Sequence, residues 1–262
     1  MKKALITGGS GGIGVELAKQ FGQADYNLIL VSKPLEELQA AQQTLKALFP
    51  NLEVHIFQKD LTETKAAEEV FERVQSQHGK VDVLVNNAGF GTYGFMNDID
   101  LNREVNMIEL NILAVYKLTR LFLTGMIERD EGKILNVSSI SAFQPNPLLT
   151  TYGATKSFVM NFSRGLNYEL KQKGSKVRVT TVCPTPVRTG FQQGAKMENS
   201  KLFDSWMRVS AEQVAKDAFN ALMREQEMIV PNKLFHFLNK ISRRLPTSWI
   251  MKISAHELKN KR

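Results

Sequence analysis

Three side chains in the second half of the chain have the types and spacing needed to move a proton. In Tyr152-Gly-Ala-Thr-Lys156 the phenol and the ammonium are four residues apart, which puts them on one face of a helix. A cation beside a phenol favours the phenolate and lowers its pKa from the usual value of about 10. A tyrosine tuned in this way can give or take a proton on an alcohol or carbonyl oxygen. Ser139 lies thirteen residues earlier, at the end of an apolar run, where its hydroxyl could bond the same oxygen. A tyrosine and a lysine at this spacing read equally well as an ordinary surface pair on an amphipathic helix. Ser139 and a second feature, at the other end of the chain, weigh against that reading.

The second feature is Thr7 to Gly14, T-G-G-S-G-G-I-G, directly after Ala4-Leu5-Ile6. Glycines let a backbone take positive φ and approach phosphates closely. A helix starting near Ile13 would offer free N–H groups and a positive dipole end to an anion. This pattern predicts a pyrophosphate site at Gly8, Ser10, Gly12, Ile13 and Gly14. A flexible linker is also glycine-rich, but Ile13, Leu17 and Phe21 then repeat at helical spacing, and a second apolar run follows at 28–31. Strand, glycine turn, helix and strand form the start of a dinucleotide-binding unit.

These groups are brought together by alternating elements. Apolar, β-branched runs fall at 4–7, 28–31, 54–57, 81–85, 133–137, 177–182 and 228–230. Helical patterns separate them at 13–23, 35–48, 65–77, about 101–128, 152–172 and 211–224. Strands apolar on both faces and separated by helices predict an α/β fold: a Rossmann-type, doubly wound, parallel seven-stranded sheet with helices on both faces. The 262 residues suit one such domain. Ligands gather at the carboxyl ends of such strands, and the polar clusters lie there: Ser32-Lys33, Asp60-Leu61, Asn86-Asn87-Ala88-Gly89, Ser138-Ser139 and the segment from Pro184 to Thr189.

The bulk properties narrow the setting. The one cysteine, Cys183, fits a reducing compartment. The apolar stretch behind Met1-Lys2-Lys3 ends at Gly8, too short for a signal peptide, and no uninterrupted apolar run approaches a membrane span. A cytoplasmic protein is expected. Of the net charge of +8, nearly all is in the last 32 residues, which hold eight basic residues and one acid. The near-neutral body predicts no nucleic-acid partner.

In order and at matching spacing, T-G-x-x-x-G-x-G (Thr7–Gly14), N-N-A-G (Asn86–Gly89), Asn111, Ser139 and Y-x-x-x-K (Tyr152–Lys156) resemble the short-chain dehydrogenase/reductase family, over essentially the whole length. The resemblance implies a nicotinamide cofactor, no metal, and a tetrad of Ser139, Tyr152, Lys156 and Asn111. Tyr152 would exchange the proton. Lys156 would lower its pKa and hold the nicotinamide ribose, and Ser139 would polarise the substrate oxygen. Asn111 would hold a water linking Lys156 to solvent. Asp60, with Leu61, would contact the adenine, and Asn87, Ala88 and Gly89 would line the adenosine side and brace the sheet. Pro184, Val187 and Thr189 would receive the carboxamide. Thr185 stands where the family usually has glycine, so its Cβ would crowd that loop. Relatives of this type usually pair through helices corresponding to 102–125 and 152–172, so a homodimer or homotetramer is expected.

The cofactor depends on the end of the second strand, where NAD-selective folds carry an acid for the ribose 2′-hydroxyl. Here Ser32 and Lys33 stand instead, with no acid before Glu36. A hydroxyl and an ammonium suit a 2′-phosphate, so NADP(H) is favoured over NAD(H), although Gly11 lacks the basic residue that many NADP-selective relatives carry. The substrate would be a small ketone or aldehyde, or the matching secondary alcohol. Its apolar or acyl part would lie under a lid at 190–209 that carries Phe191, Leu202, Phe203, Trp206 and Met207, residues that read equally as core packed on the domain. The basic helical extension at 231–262 would pack on the body or a second subunit, lie on an anionic membrane, or dock an acidic acyl carrier. A sensor of the NADPH/NADP ratio without turnover, or a membrane-surface scaffold, is the alternative to an enzyme.

Overall fold

A computed structural model describes residues 1–187, 209–232, 234 and 246–258. In chain order the elements are β1 (Lys3–Thr7), α1 (Gly12–Gln23), β2 (Asn27–Ser32), α2 (Leu35–Leu48), β3 (Val54–Gln58), α3 (Ala66–His78) and β4 (Val83–Asn86). There follow α4 (Leu101–Ile108), a π-helical segment (Glu109–Ala114), α5 (Val115–Glu128), β5 (Lys133–Val137), α6 (Thr150–Gln172) and β6 (Arg178–Val182). The last are α7 (Ala211–Met223), β7 (Met228–Ile229) and α8 (Thr247–Leu258). The strands form one sheet in the order β3-β2-β1-β4-β5-β6-β7. Every pairing is parallel, with Leu5 opposite Ile29 and Leu84, and Leu135 opposite Thr180. The chain reverses direction across the sheet between β1 and β4, which is where this fold binds ligands.

Two cores explain why the strands are apolar throughout. Ala4 and Ile6 of β1 face α1, α2 and α7, packing with Leu17, Phe21, Leu38, Leu45, Val214 and Leu222. Leu5 faces the other way, toward α3, α5 and α6, with Val70, Val74, Leu118, Phe122 and Leu170. Side chains alternate along a strand, and a strand covered on both faces is therefore apolar wherever no hydrogen-bond partner is built in.

The predicted strands each shift by no more than two residues at either end. The long helix predicted at about 101–128 is interrupted: α4 and α5 are joined by the π-helical segment, which carries Asn111, fully buried. Such bulges often occur at functional sites. The 28-residue stretch is apolar enough to pass as a membrane span by length and composition, yet α5 packs on α3 as a layer of the core. Tyr152 does not open its helix, since α6 starts two residues earlier at Thr150. The lid at 190–208, Thr189, and half of the extension from 231 lie outside the described residues.

Candidate active site

The glycine turn is built around two close approaches. Gly8 has φ +64°, and a Cβ there would come within 2.8 Å of Asn87 Nδ2. At Gly14 a Cβ would stand 2.0 Å from the Gly8 carbonyl oxygen, so only hydrogen fits where α1 meets the turn. Gly8 N–H donates to Val31 O at 2.7 Å, holding the turn over the end of β2. Gly11 precedes α1 with no capping side chain, and a Cβ there would meet nothing within 4 Å among the described residues. The helix start therefore opens toward free space, as a pyrophosphate requires. Gly12 follows at φ +54°, and Ile13 packs against the first core.

The turn is locked to β4. Asn87 Nδ2 donates to Thr7 O (3.0 Å) and Gly8 O (3.2 Å), and the Asn87 and Ala88 amides both donate to Thr7 Oγ1 at 3.0 Å. Gly89 keeps space open: a Cβ would lie 2.9 Å from Asn111 Oδ1 and 3.2 Å from Lys156 Nζ. On the adenosine side, Ser10 Oγ is 2.9 Å from Ser32 Oγ. Lys33 Nζ is not free, as expected for a 2′-phosphate, but pairs with Asp60 Oδ2 at 2.7 Å. The other Asp60 oxygen accepts from Thr62 N (3.0 Å) and Thr62 Oγ1 (2.8 Å). Partial burial raises the Asp60 pKa, but the bonds from Lys33 and Thr62 outweigh it and hold the carboxyl below its usual range. Leu61 is buried in the second core. These residues fit a dinucleotide, with a 2′-phosphate competing with Asp60 for Lys33.

Ser139, Tyr152 and Lys156 are all buried and meet at the carboxyl end of β5. Ser139 lies two residues past the strand, caps the short turn Ile140–Phe143 by accepting from Ser141 N (3.1 Å), and hydrogen-bonds the Tyr152 phenol. Lys156 Nζ donates to Val137 O at 3.0 Å and stands 5.9 Å from the centre of the Tyr152 ring. The expected lowering of the Tyr152 pKa is overturned. Burial pushes the phenol up to about 12, against a smaller lowering by the bond to Ser139. Burial also brings Lys156 down to about 8. Taking charge out of water outweighs a cation that is turned toward a carbonyl.

Asn111 lies one layer behind. Its Nδ2 donates to Phe90 O (2.9 Å) and Thr155 Oγ1 (3.1 Å), and its Oδ1 accepts from Phe90 N (3.2 Å). The side chain thus joins the π-helical segment to the β4 loop and to α6. Pro184 O accepts from Ile140 N (3.1 Å), and Val187 is buried in the first core. The Thr185 Cβ adds a buried hydroxyl with no hydrogen-bond partner among the described residues. Among the described residues no group of three or more His, Cys, Asp or Glu side chains is placed to hold a metal ion.

Several contributors, Asn136 and Ser163 among them, were not singled out from sequence. Asn146 Nδ2 donates to Ser141 O (2.7 Å) and Gln144 O (2.6 Å), and a Cβ at Gly153 would come within 2.8 Å of it. It shapes the loop before α6. Beneath the site, Asn86 Nδ2 donates to Thr119 Oγ1 (3.1 Å) and Asn136 Oδ1 (2.8 Å), and Asn136 Nδ2 donates to Ser163 Oγ (2.8 Å). The available signal was an asparagine inside the otherwise apolar run at 133–137.

A family described as short chain dehydrogenase matches this chain over residues 2–200. A very-long-chain 3-oxoacyl-CoA reductase of Bos taurus is 34% identical over 226 residues, covering 84% of this chain and 68% of the relative. One of Anas platyrhynchos is 36% identical over 199 residues, and this chain spans only 62% of that relative's length. Among solved structures, a short-chain dehydrogenase from Sphingobium yanoikuyae in complex with NADPH is 25% identical, with a TM-score of 0.81, over 94% of this chain and 97% of that one. A short chain dehydrogenase/reductase from Burkholderia phymatum in complex with NAD shares the fold at 21% identity, with a TM-score of 0.83, over 100% of this chain and 98% of that one.

Proposed function

The chain belongs to the short chain dehydrogenase family, an oxidoreductase class, and from that premise we propose that it is an NADP(H)-dependent reductase of 3-oxoacyl thioesters or related apolar ketones. The observation that carries the reading is the buried Ser139–Tyr152–Lys156 cluster beside an open glycine turn. Bound NADPH would supply the hydride. Ser139 would donate a hydrogen bond to the substrate carbonyl oxygen and polarise it. Tyr152, held protonated by burial, is set to give its proton as that oxygen gains charge, which favours the reductive direction. Lys156 would hold the nicotinamide ribose and stabilise the phenolate left behind.

The substrate class rests on the very-long-chain 3-oxoacyl-CoA reductases to which the chain is similar. The preference for NADP(H) rests on Ser32 and Lys33, and on the NADPH-bound relative. The single buried cysteine is in keeping with a cytoplasmic setting.

The test follows NADPH and NADH absorbance with 3-oxoacyl-CoA of increasing chain length, in wild type and Tyr152→Phe. The expected result is turnover with NADPH preferred, and a loss of about 100- to 10,000-fold in kcat in the variant with nucleotide affinity retained. Tight NADPH binding without turnover of any thioester or ketone would instead support the sensor reading.

A further inference from the structure

Ser138, the residue before the proposed carbonyl-polarising serine, is fully engaged beneath the site. It is 3% exposed, and its Oγ donates to the backbone carbonyl oxygen of Lys156 at 2.8 Å. Its amide donates to Val182 O at 2.8 Å. Its hydroxyl also hydrogen-bonds the thiol of Cys183, itself fully buried. The residues on either side hold the same helix. Val137 O accepts from Lys156 Nζ at 3.0 Å, and Ser139 bonds the Tyr152 phenol. Three consecutive residues thus grip the ammonium, the backbone and the phenol of one turn of α6.

We propose that Ser138 is a positioning residue for the Tyr152–Lys156 pair, fixing α6 against the ends of β5 and β6. The proposal rests on the reading of that pair as the proton-transfer machinery. A lysine stem has four rotatable carbons, so the i, i+4 spacing places its backbone but not its ammonium. The Ser138 bond to the Lys156 carbonyl fixes the distance from β5 at which that flexible stem starts, and so narrows where the ammonium sits against Val137 O. A helical carbonyl has two lone pairs, so Lys156 O can accept from Ser138 as well as within α6. The ionisable groups beside Lys156 are Tyr152 and Cys183, both buried.

The first measurement uses the nucleotide-free protein with 13C-labelled lysine. The Lys156 side-chain titration, assigned by its absence in Lys156→Met, is followed by NMR in wild type, Ser138→Ala and Ser138→Thr. In Ser138→Ala the titration moves up by about half a pH unit or more, as the ammonium loses its fixed seat and gains water, and Ser138→Thr restores it. The second compares kcat and KM for NADPH-dependent reduction of a 3-oxoacyl-CoA. Ser138→Ala lowers kcat by about 10- to 100-fold with KM little changed, since misplacement by a fraction of an ångström is felt in the chemical step. A lower melting temperature with the titration and kcat unmoved would overturn the proposal and leave Ser138 a purely structural residue. If Tyr152→Phe turns over as fast as wild type, the proposed function itself is wrong, while the titration still decides what Ser138 holds.

Discussion

At the level of single residues, the site runs on desolvation more than on charge pairing. Free lysine titrates near 10.4, whereas burial brings Lys156 to about 8. Between those values the unfolded chain keeps a proton that the folded chain has released, so stability rises with pH across that window. Below pH 8 both states are charged and the cost of burying the ammonium is full; above about 10.5 both are neutral and the cost is gone. Tyr152 acts in the opposite sense, but only above about pH 10, where the folded state keeps a proton that the unfolded state loses. Thermal unfolding from pH 7.5 to 9.5 should therefore show wild type gaining on the order of 2 kcal/mol relative to Lys156→Met. Parallel curves would mean that the ammonium is well solvated. The sequence made Tyr152, Lys156 and Ser139 legible as a group through their types and spacing. It did not show that burial would outweigh the cation, because spacing along a helix says nothing of the water around it.

The elements supply what the residues cannot supply alone. The strand–turn–helix unit at the N-terminus works because Gly14 lets α1 close onto the Gly8 carbonyl. Gly14→Ala would place a methyl group 2.0 Å from that oxygen, and neither backbone can yield without breaking the Asn87 bonds that hold the turn to Thr7 and Gly8. The expected cost is about 3 kcal/mol or more, with nucleotide affinity falling by more than tenfold in whatever fraction stays folded. Denaturant unfolding and nucleotide titration measure the two separately, and unchanged affinity would remove the turn from the binding site. Strands and helices were readable because the central strands are buried on both faces and so largely apolar, and most helices show a stripe. The π-helical segment was not readable. Leu101–Glu128 carries one continuous helical pattern, and the extra residue per turn answers to Asn111 bridging Phe90 and Thr155, a tertiary demand with no local trace. Of the polar chain from Asn86 through Asn136 to Ser163, Asn86 was legible in its motif and Asn136 left a trace in an apolar run, but that the three bond one another is tertiary and was not.

For the whole molecule, the outer surface of α5 and α6 bears on assembly. Tyr116 and Tyr168 are exposed there, with Val105, Ile108 and Leu113 on the preceding turns. Tyr116 leans on Phe162, their ring centroids 5.8 Å apart, and Phe162 stacks on Phe158 at 5.6 Å. Water against so much apolar surface is unfavourable, and covering it with the same face of a second copy would satisfy the isologous symmetry of most homo-oligomers. Gly165 lies on this surface and offers a selective test. A Cβ there would meet nothing within 4 Å among the described residues outside its own helix, so Gly165→Arg should leave the isolated fold in place and raise its helix propensity by up to about 1 kcal/mol. Between two packed copies the same side chain would drive the helices apart. Sedimentation velocity at micromolar concentration should find wild type as a dimer or tetramer and Gly165→Arg as a monomer that keeps the wild-type circular dichroism spectrum, with only the wild-type melting temperature depending on concentration. An oligomer that survives the substitution would move the interface elsewhere, and a monomeric wild type would mean that this apolar surface serves some other contact.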